Sequence, residues 1–78
     1  MDRPGIGKLH NFIGRVLAEK EDNEGAIEKF YKALSIQEKY LGSDHHVTAI
    51  THCDIGGVLH WKGDYDGALE EYRKALKI

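Results

Sequence analysis

Cysteine is almost absent from this 78-residue chain, and neither a long apolar run nor a strong charge of one sign is present. Because Cys53 is the only cysteine, no internal disulfide can form. A chain without disulfides suits a reducing compartment. Uninterrupted apolar stretches reach only two or three residues, whereas a membrane-spanning helix needs roughly 18. These absences exclude a disulfide scaffold and a transmembrane protein.

Acidic and basic residues are interleaved along the chain, and the net charge is only -2. This balance provides no basic surface for nucleic acid or anionic lipid. Residues 1–8 contain charge, proline and glycine but no apolar core of a secretory signal. The sequence therefore predicts a cytoplasmic protein with one domain over residues 1–78, and with neither nucleic acid nor membrane as a partner.

An internal repeat dominates the sequence. Residues 13–36 align without a gap to residues 55–78, at a shift of 42 positions, and 13 of the 24 aligned pairs are identical. Phe30 and Tyr72 form a conservative pair, as do Ile27 and Leu69. Agreement of this extent in so short a chain indicates a duplicated structural unit.

Each copy has the apolar periodicity of two helices. The first half of the first copy carries Leu9, Ile13, Val16 and Leu17 at helical spacing, and the second half carries Ile27, Phe30, Leu34 and Leu41. The pattern predicts helices near residues 6–20, 24–41, 45–61 and 65–78. The predicted N-caps are Asp22 and Asp64 for the second and fourth helices, and Ser43 or Asp44 for the third, with Gly42 ending the second.

Small residues lie at repeated positions in these helices. Gly14 and Gly56 each cost a helix roughly 1 kcal/mol relative to alanine, which predicts the close approach of another backbone there. Phe30 and Tyr72 are the large side chains expected to fill the gap between the two units. The inner stripe also has four alanines, Ala26, Ala33, Ala68 and Ala75.

The second copy reads His52-x2-Ile55-Gly56-x2-Leu59, then Ala68-x3-Tyr72-x2-Ala75, and the first copy repeats this spacing from His10. The pattern resembles the tetratricopeptide repeat, with its W-x2-L-G-x2-Y and A-x3-F-x2-A signature. The usual period is 34 residues. The period of 42, with the added residues between Ser35 and His46, resembles the extended variety of kinesin light chains and nephrocystin-like proteins.

The resemblance implies an all-α fold of two tandem helix-turn-helix hairpins that form a short right-handed α-solenoid, with one repeat over about 6–41 and another over about 45–78. It also implies a non-catalytic scaffold that binds a protein or peptide without a cofactor. The first helix of each hairpin is expected to line a concave groove, whose candidate partner-binding residues are Lys8, Asn11, Arg15, Ile50, Cys53, Gly57 and His60. Of the positions matching a carboxylate clamp, only Arg15 carries a charged donor, so such a clamp is not predicted.

Two chemical alternatives have less support. A metal site could draw on the polar cluster at the start of the third helix, Asp44, His45, His46 and His52, but His45 and His52 are about two turns apart. A Cys53–His60 pair would be separated by a rise of roughly 10 Å, too far for the imidazole to activate the thiol. Neither a metal site nor a catalytic site is therefore predicted.

The second copy is expected to end within its last helix and to leave an apolar docking flank at Leu69, Tyr72 and Leu76. Further repeats, a second copy of the chain or a neighbouring subunit could cover this flank, because repeat arrays generally need about three units. The alternative function is thus a structural or self-associating module that docks through this flank. Trp61 is expected to pack over the nearby loop, and the alternative is an exposed tryptophan that anchors a partner.

Overall fold

The computed structural model describes residues 4–78 and contains four helices, with no strand in that range. The all-α prediction is confirmed, and the helix ends lie within two residues of those expected. In the order of the chain, the helices are α1 (Pro4–Glu19), α2 (Asn23–Leu41), α3 (His46–Trp61) and α4 (Tyr65–Leu76). The pairs α1–α2 and α3–α4 form hairpins, and α2 packs against α3. None of these helices is long and apolar enough to cross a membrane.

The two copies begin their second helices with the same aspartate cap. The Oδ1 of Asp22 accepts a hydrogen bond from the Gly25 amide at 3.0 Å, and the Oδ1 of Asp64 accepts from the Gly67 amide at 2.9 Å. Each bond satisfies an amide that has no partner within the helix. Gly42 ends α2 with φ of 92°, as predicted, in the left-handed region that favours glycine.

The predicted cap of α3 is wrong. His45, rather than Ser43 or Asp44, is the N-cap, and its Nδ1 accepts a hydrogen bond from the Val47 amide at 3.1 Å. The preceding residues instead form the turn, where the Ser43 carbonyl accepts from the Thr48 hydroxyl at 3.0 Å. An imidazole nitrogen can replace the usual carboxylate because the cap needs only an acceptor.

The hydrophobic core lies between the two hairpins. Phe30 and Leu34 of α2 pack with Ile55 and Val58 of α3, and Ala26 completes the buried cluster. Burying each of these larger side chains stabilises the fold by roughly 1.5–3 kcal/mol. The predicted position of Phe30 between the hairpins is confirmed, and this contact fixes α1 and α3 side by side.

The two helix-interior glycines accommodate aromatic rings. A Cβ on Gly14 would lie 2.6 Å from Cε1 of Phe30, and a Cβ on Gly56 would lie 2.7 Å from Cε1 of Tyr72. The close approach predicted at these positions is confirmed, but the neighbour is a ring of the same hairpin rather than another backbone. Tyr72 therefore packs within its own hairpin instead of filling a gap between hairpins.

Most of the apolar stripe predicted for α1 is not part of the core, although Leu17 packs against it. Leu9, Ile13 and Val16 are about half exposed, whereas the positions 42 residues later, including Ile55 and Val58, are buried. The difference has a simple physical cause, because α2 covers that face of α3 while no described helix covers the outer face of α1.

Candidate partner-binding groove

A groove runs between α1 and α3, the first helices of the two hairpins. At the end where both helices begin, it holds a depression lined by Lys8, Asn11 and Arg15 of α1 together with Val47 and Ile50 of α3. Ile50 is 47% exposed there. Four of the predicted partner-binding residues therefore lie together, and one of them, Ile50, is an exposed aliphatic side chain that a partner can cover.

A second depression lies further along the same groove, and Arg15 borders both. The predicted residues Cys53 and Gly57 line it, together with Ala18 and Trp61. Trp61 is 86% exposed, so the expectation that it packs over the loop is wrong. The indole stays uncovered because its neighbours across the depression include the small Ala18 and the exposed carboxylate of Glu19.

Asp54 joins the two walls of the groove. Its Oδ2 accepts hydrogen bonds from Nδ2 of Asn11 at 3.1 Å and from Nη2 of Arg15 at 3.2 Å. Burial raises the pKa of the Asp54 carboxyl, while the charge and hydrogen bond of Arg15 and the hydrogen bond of Asn11 act in the opposite direction. The charge of Arg15 thus already has a partner within the chain.

Asn11 also belongs to a buried polar network and is only 5% exposed. Its Oδ1 accepts from Nε2 of Gln37 at 2.8 Å, and the Oε1 of Gln37 accepts from the Thr51 hydroxyl at 2.6 Å. The network links α1, α2 and α3 and satisfies groups that would be costly to bury alone. Sequence reasoning did not select Gln37 or Thr51, since the contacts join residues 26 and 14 positions apart.

His60 is separated from the other predicted groove residues. Its ring packs edge-to-face with Tyr65, at a centroid distance of 5.6 Å, and it lines neither depression. His60 stands one residue before the end of α3, where its ring contacts the first residue of α4.

The histidines of the considered metal site have separate structural partners. His45 caps α3, and the ring of His46 stacks on it at 4.5 Å. His52 lies instead in the second hairpin, where its Nδ1 is 2.8 Å from Oε1 of Glu71 and both side chains are 8% exposed. Within residues 4–78, no three metal-binding side chains come together.

The carboxylate of Glu71 contacts His52 in the interior and also a lysine nearer the surface. An ionised carboxylate only accepts, so the imidazole of His52 donates from Nδ1. The second oxygen, Oε2, accepts from the Lys74 ammonium at 3.2 Å. The hydrogen bond and the negative charge of Glu71 raise the pKa of Lys74. The arrangement fastens α3 to α4 and leaves the groove free of these groups.

The predicted docking flank lies on α4, away from the groove. Leu76 is 87% exposed and Leu69 is 48% exposed, while Tyr72 is half-buried because its ring rests against Gly56. The flank therefore presents apolar surface to solvent.

Comparison with known proteins assigns both hairpins to one kind of repeat. A family model described as tetratricopeptide repeat matches residues 6–78, which include all four helices except the first two residues of α1. No curated protein matches the chain. The spacing of small and aromatic residues and the glycine–ring contacts in each hairpin agree with the match.

Proposed function

The chain belongs to the tetratricopeptide-repeat family, and on this premise we propose that it is a non-catalytic scaffold whose groove binds a peptide segment of a partner protein. Repeats of this family generally serve protein–protein interaction, and stacked repeats provide extended concave binding surfaces. The observation that carries the proposal is the pair of exposed apolar side chains, Ile50 and Trp61, one at each depression of the groove.

The polar groups of the groove narrow the chemistry of the ligand. Arg15 is paired with Asp54, and Asn11 is held in the buried network. Recognition of a terminal carboxylate is therefore not favoured. We propose instead an extended segment whose apolar side chains cover Ile50 and Trp61, since exposed tryptophans are frequent anchors at protein interfaces.

The finer assignments belong to the same proposal. The 42-residue register supports placement in the extended, kinesin-light-chain-like variety of the family. A cytoplasmic location and function without a cofactor are further parts of the proposal. The division into repeats at about 6–41 and 45–78 is likewise part of the proposal.

A second candidate function is docking through the flank of Leu69, Tyr72 and Leu76. The exposure of Leu69 and Leu76 favours it, because the corresponding residues of α2, Ile27 and Leu34, are packed against the core between the hairpins. In this case the chain would be a structural or self-associating component of a larger assembly.

Selection from a random peptide library displayed on phage tests the groove proposal without a known partner. Peptides enriched on the wild-type chain are expected to bind Trp61→Ala and Ile50→Asp at least tenfold more weakly, because each change removes exposed contact surface. Lys32→Ala, on the exposed side of α2, is the matched control and should bind as the wild type does. Circular dichroism checks that each variant remains folded.

Two results would contradict the groove proposal. One is the selection of no peptide, and the other is selected peptides whose affinity is unchanged in both groove variants. If binding is lost in Leu76→Asp alone, the docking flank is the functional surface and the second candidate replaces the first.

A further inference from the structure

The outer face of α1 carries an apolar surface that the groove does not use. Ile6, Leu9, Ile13 and Val16, hereafter the α1 stripe, are between 37% and 55% exposed. A shallow depression beside Ile13 and Val16 is lined largely by apolar side chains and the stem of Lys20. A contiguous apolar surface of this kind marks an interaction site more often than isolated exposed residues do.

The internal repeat identifies what the α1 stripe can pack against. The residues 42 positions later are Thr48, Thr51, Ile55 and Val58 of α3, and each is at most 4% exposed. They are buried because α2, the second helix of the preceding hairpin, lies on them. The α1 stripe therefore occupies positions that in α3 receive a second helix.

The docking flank on α4 corresponds to the α2 side of the α2–α3 interface. Leu69, Tyr72 and Leu76 stand 42 residues after Ile27, Phe30 and Leu34, the α2 residues that pack on α3. Thus α4 presents to solvent the surface that α2 presents to α3. In the first hairpin, α1 therefore carries the face on which a second helix can pack. In the second hairpin, α4 carries the matching face of such a helix.

The α1 stripe and the docking flank are also alike in being apolar. At the α2–α3 interface, the Thr51 hydroxyl donates to Gln37. In the α1 stripe the position of Thr51 is held by Leu9, which has no hydrogen-bonding group. The docking flank is likewise apolar at Leu69 and Leu76, so these side chains can pack against Leu9 without burying an unpaired polar group.

An ion pair beside the α2–α3 interface independently indicates the same alignment of α4 on α1. Lys62, just after α3, forms an ion pair with Glu24 at the start of α2. The positions 42 residues away are Lys20, just after α1, and Asp66, at the start of α4. Neither Lys20 nor Asp66 has an ion-pair partner within residues 4–78. Contact between two chains in this register would bring their opposite charges together.

We propose that the α1 stripe binds the docking flank of a second copy of this chain, and that the contact repeats the α2–α3 interface with Lys20 of one copy paired to Asp66 of the other. The proposal goes beyond the groove function, since it uses no groove residue, and it names the occupant that the flank-docking candidate leaves open. A head-to-tail contact joins two different faces, so copies assemble into open chains rather than closed dimers.

Two complementary variants test the contact in the full 78-residue chain. Val16→Asp disables the α1 stripe and Leu76→Asp disables the flank, so each variant alone should remain monomeric in sedimentation velocity. A mixture of the two retains one intact stripe and one intact flank. It should therefore form a one-to-one dimer and nothing larger, while the wild type gains mass continuously with concentration.

A charge exchange tests the register rather than the apolar contact. Lys20→Glu and Asp66→Lys place like charges at the junction, and each should weaken association about two- to fivefold at low salt, which corresponds to an exposed ion pair. An equimolar mixture restores opposite charges at every mixed junction and should recover the wild-type affinity. Ile50→Asp, in the groove, should associate as the wild type does.

Three results would overturn the proposal. They are a monomeric wild type up to millimolar concentration, a wild-type mass that stops at a dimer, and a Val16→Asp and Leu76→Asp mixture that stays monomeric although both variants are helical. A monomeric wild type that loses a different partner through Leu76→Asp would leave flank docking standing and exclude the second copy. None of these results depends on whether the groove binds a peptide.

Discussion

Gly56 and Gly57 are adjacent in α3, yet the structure predicts opposite effects of alanine at these positions. A Cβ on Gly56 would lie 2.7 Å from Cε1 of Tyr72, whereas the nearest atom to a Cβ on Gly57 is the Tyr72 hydroxyl at 3.9 Å. Gly56→Ala should lower the free energy of unfolding by about 1–3 kcal/mol through overpacking. Gly57→Ala should raise it by up to about 1 kcal/mol through helix propensity. Urea unfolding of the two variants measures both, and equal effects would contradict the assignment.

The carboxyl of Asp54 makes stability depend on pH. Burial raises its pKa in the folded state, so the folded chain holds this proton more tightly than the unfolded chain. The resulting stabilisation is present below the unfolded pKa and is lost as pH rises through the folded pKa. Asp54→Asn cannot ionise, so its stability relative to the wild type should increase as pH rises from below the unfolded pKa of the carboxyl through its raised folded pKa.

Urea unfolding at several pH values measures this difference, and a constant difference would contradict it. The cause of the shift has its own test in the titration of the Asp54 carboxyl carbon by NMR. Arg15→Gln should raise the pKa of Asp54 further, because it removes the neighbouring positive charge. An unchanged or lowered pKa in this variant would show that the guanidinium does not stabilise the ionised form.

At the scale of the helices, the two hairpins differ in the side-chain contact that joins their first and second helices. In the second, His52 of α3 pairs with Glu71 of α4. In the first, the corresponding residues are His10 and Lys29, and the buried Nδ1 of His10 has no hydrogen-bond partner within residues 4–78. An unpaired buried polar atom carries a desolvation cost of about 1–3 kcal/mol.

Lys29→Glu should therefore stabilise the first hairpin by about 1 kcal/mol, because it places a carboxylate where Glu71 stands in the second. Thermal unfolding near neutral pH measures the gain. The control is the same substitution in a His10→Leu background, where the gain should disappear if the imidazole provides it. A gain that persists in that background would contradict the pairing.

The element boundaries could be predicted from the sequence because they depend on local chemistry. The caps at Asp22 and Asp64 and the glycine at Gly42 act on amides and dihedral angles a few residues away. The cap by His45 was missed because imidazole is not among the usual capping groups. The exposure of Leu9 was missed for another reason, since apolar periodicity reports which face is apolar and not whether a neighbour covers it.

The candidate site was only partly predictable, because some of its contacts join residues that are far apart in the sequence. The resemblance to the tetratricopeptide repeat implied a groove with Lys8, Arg15, Ile50 and Cys53, and these residues line the two depressions between α1 and α3. It did not reveal that Asp54 bridges α1 and α3, because this contact joins residues 43 positions apart in the sequence. Spacing along one helix carries no information on such pairs, which become visible only when the hairpins are stacked.

At the scale of the whole molecule, stacking divides the surface into faces with separate roles. The α2–α3 contact aligns α1 and α3, and their alignment creates the groove. The same stacking leaves the α1 stripe at one end and the docking flank at the other. Substitutions on one face should therefore have little effect on the other, since distant sites with no shared partners usually contribute additively.

The most direct test of groove binding is an NMR titration of the 78-residue chain with a peptide selected from the library. The account predicts that the shifted backbone amides cluster at Lys8, Arg15, Ile50 and Cys53, together with the indole N–H of Trp61. Amides on the α1 stripe and on the outer side of α2 should move little. Shifts confined to the α1 stripe or to the docking flank, with the groove signals unchanged, would contradict the proposed function.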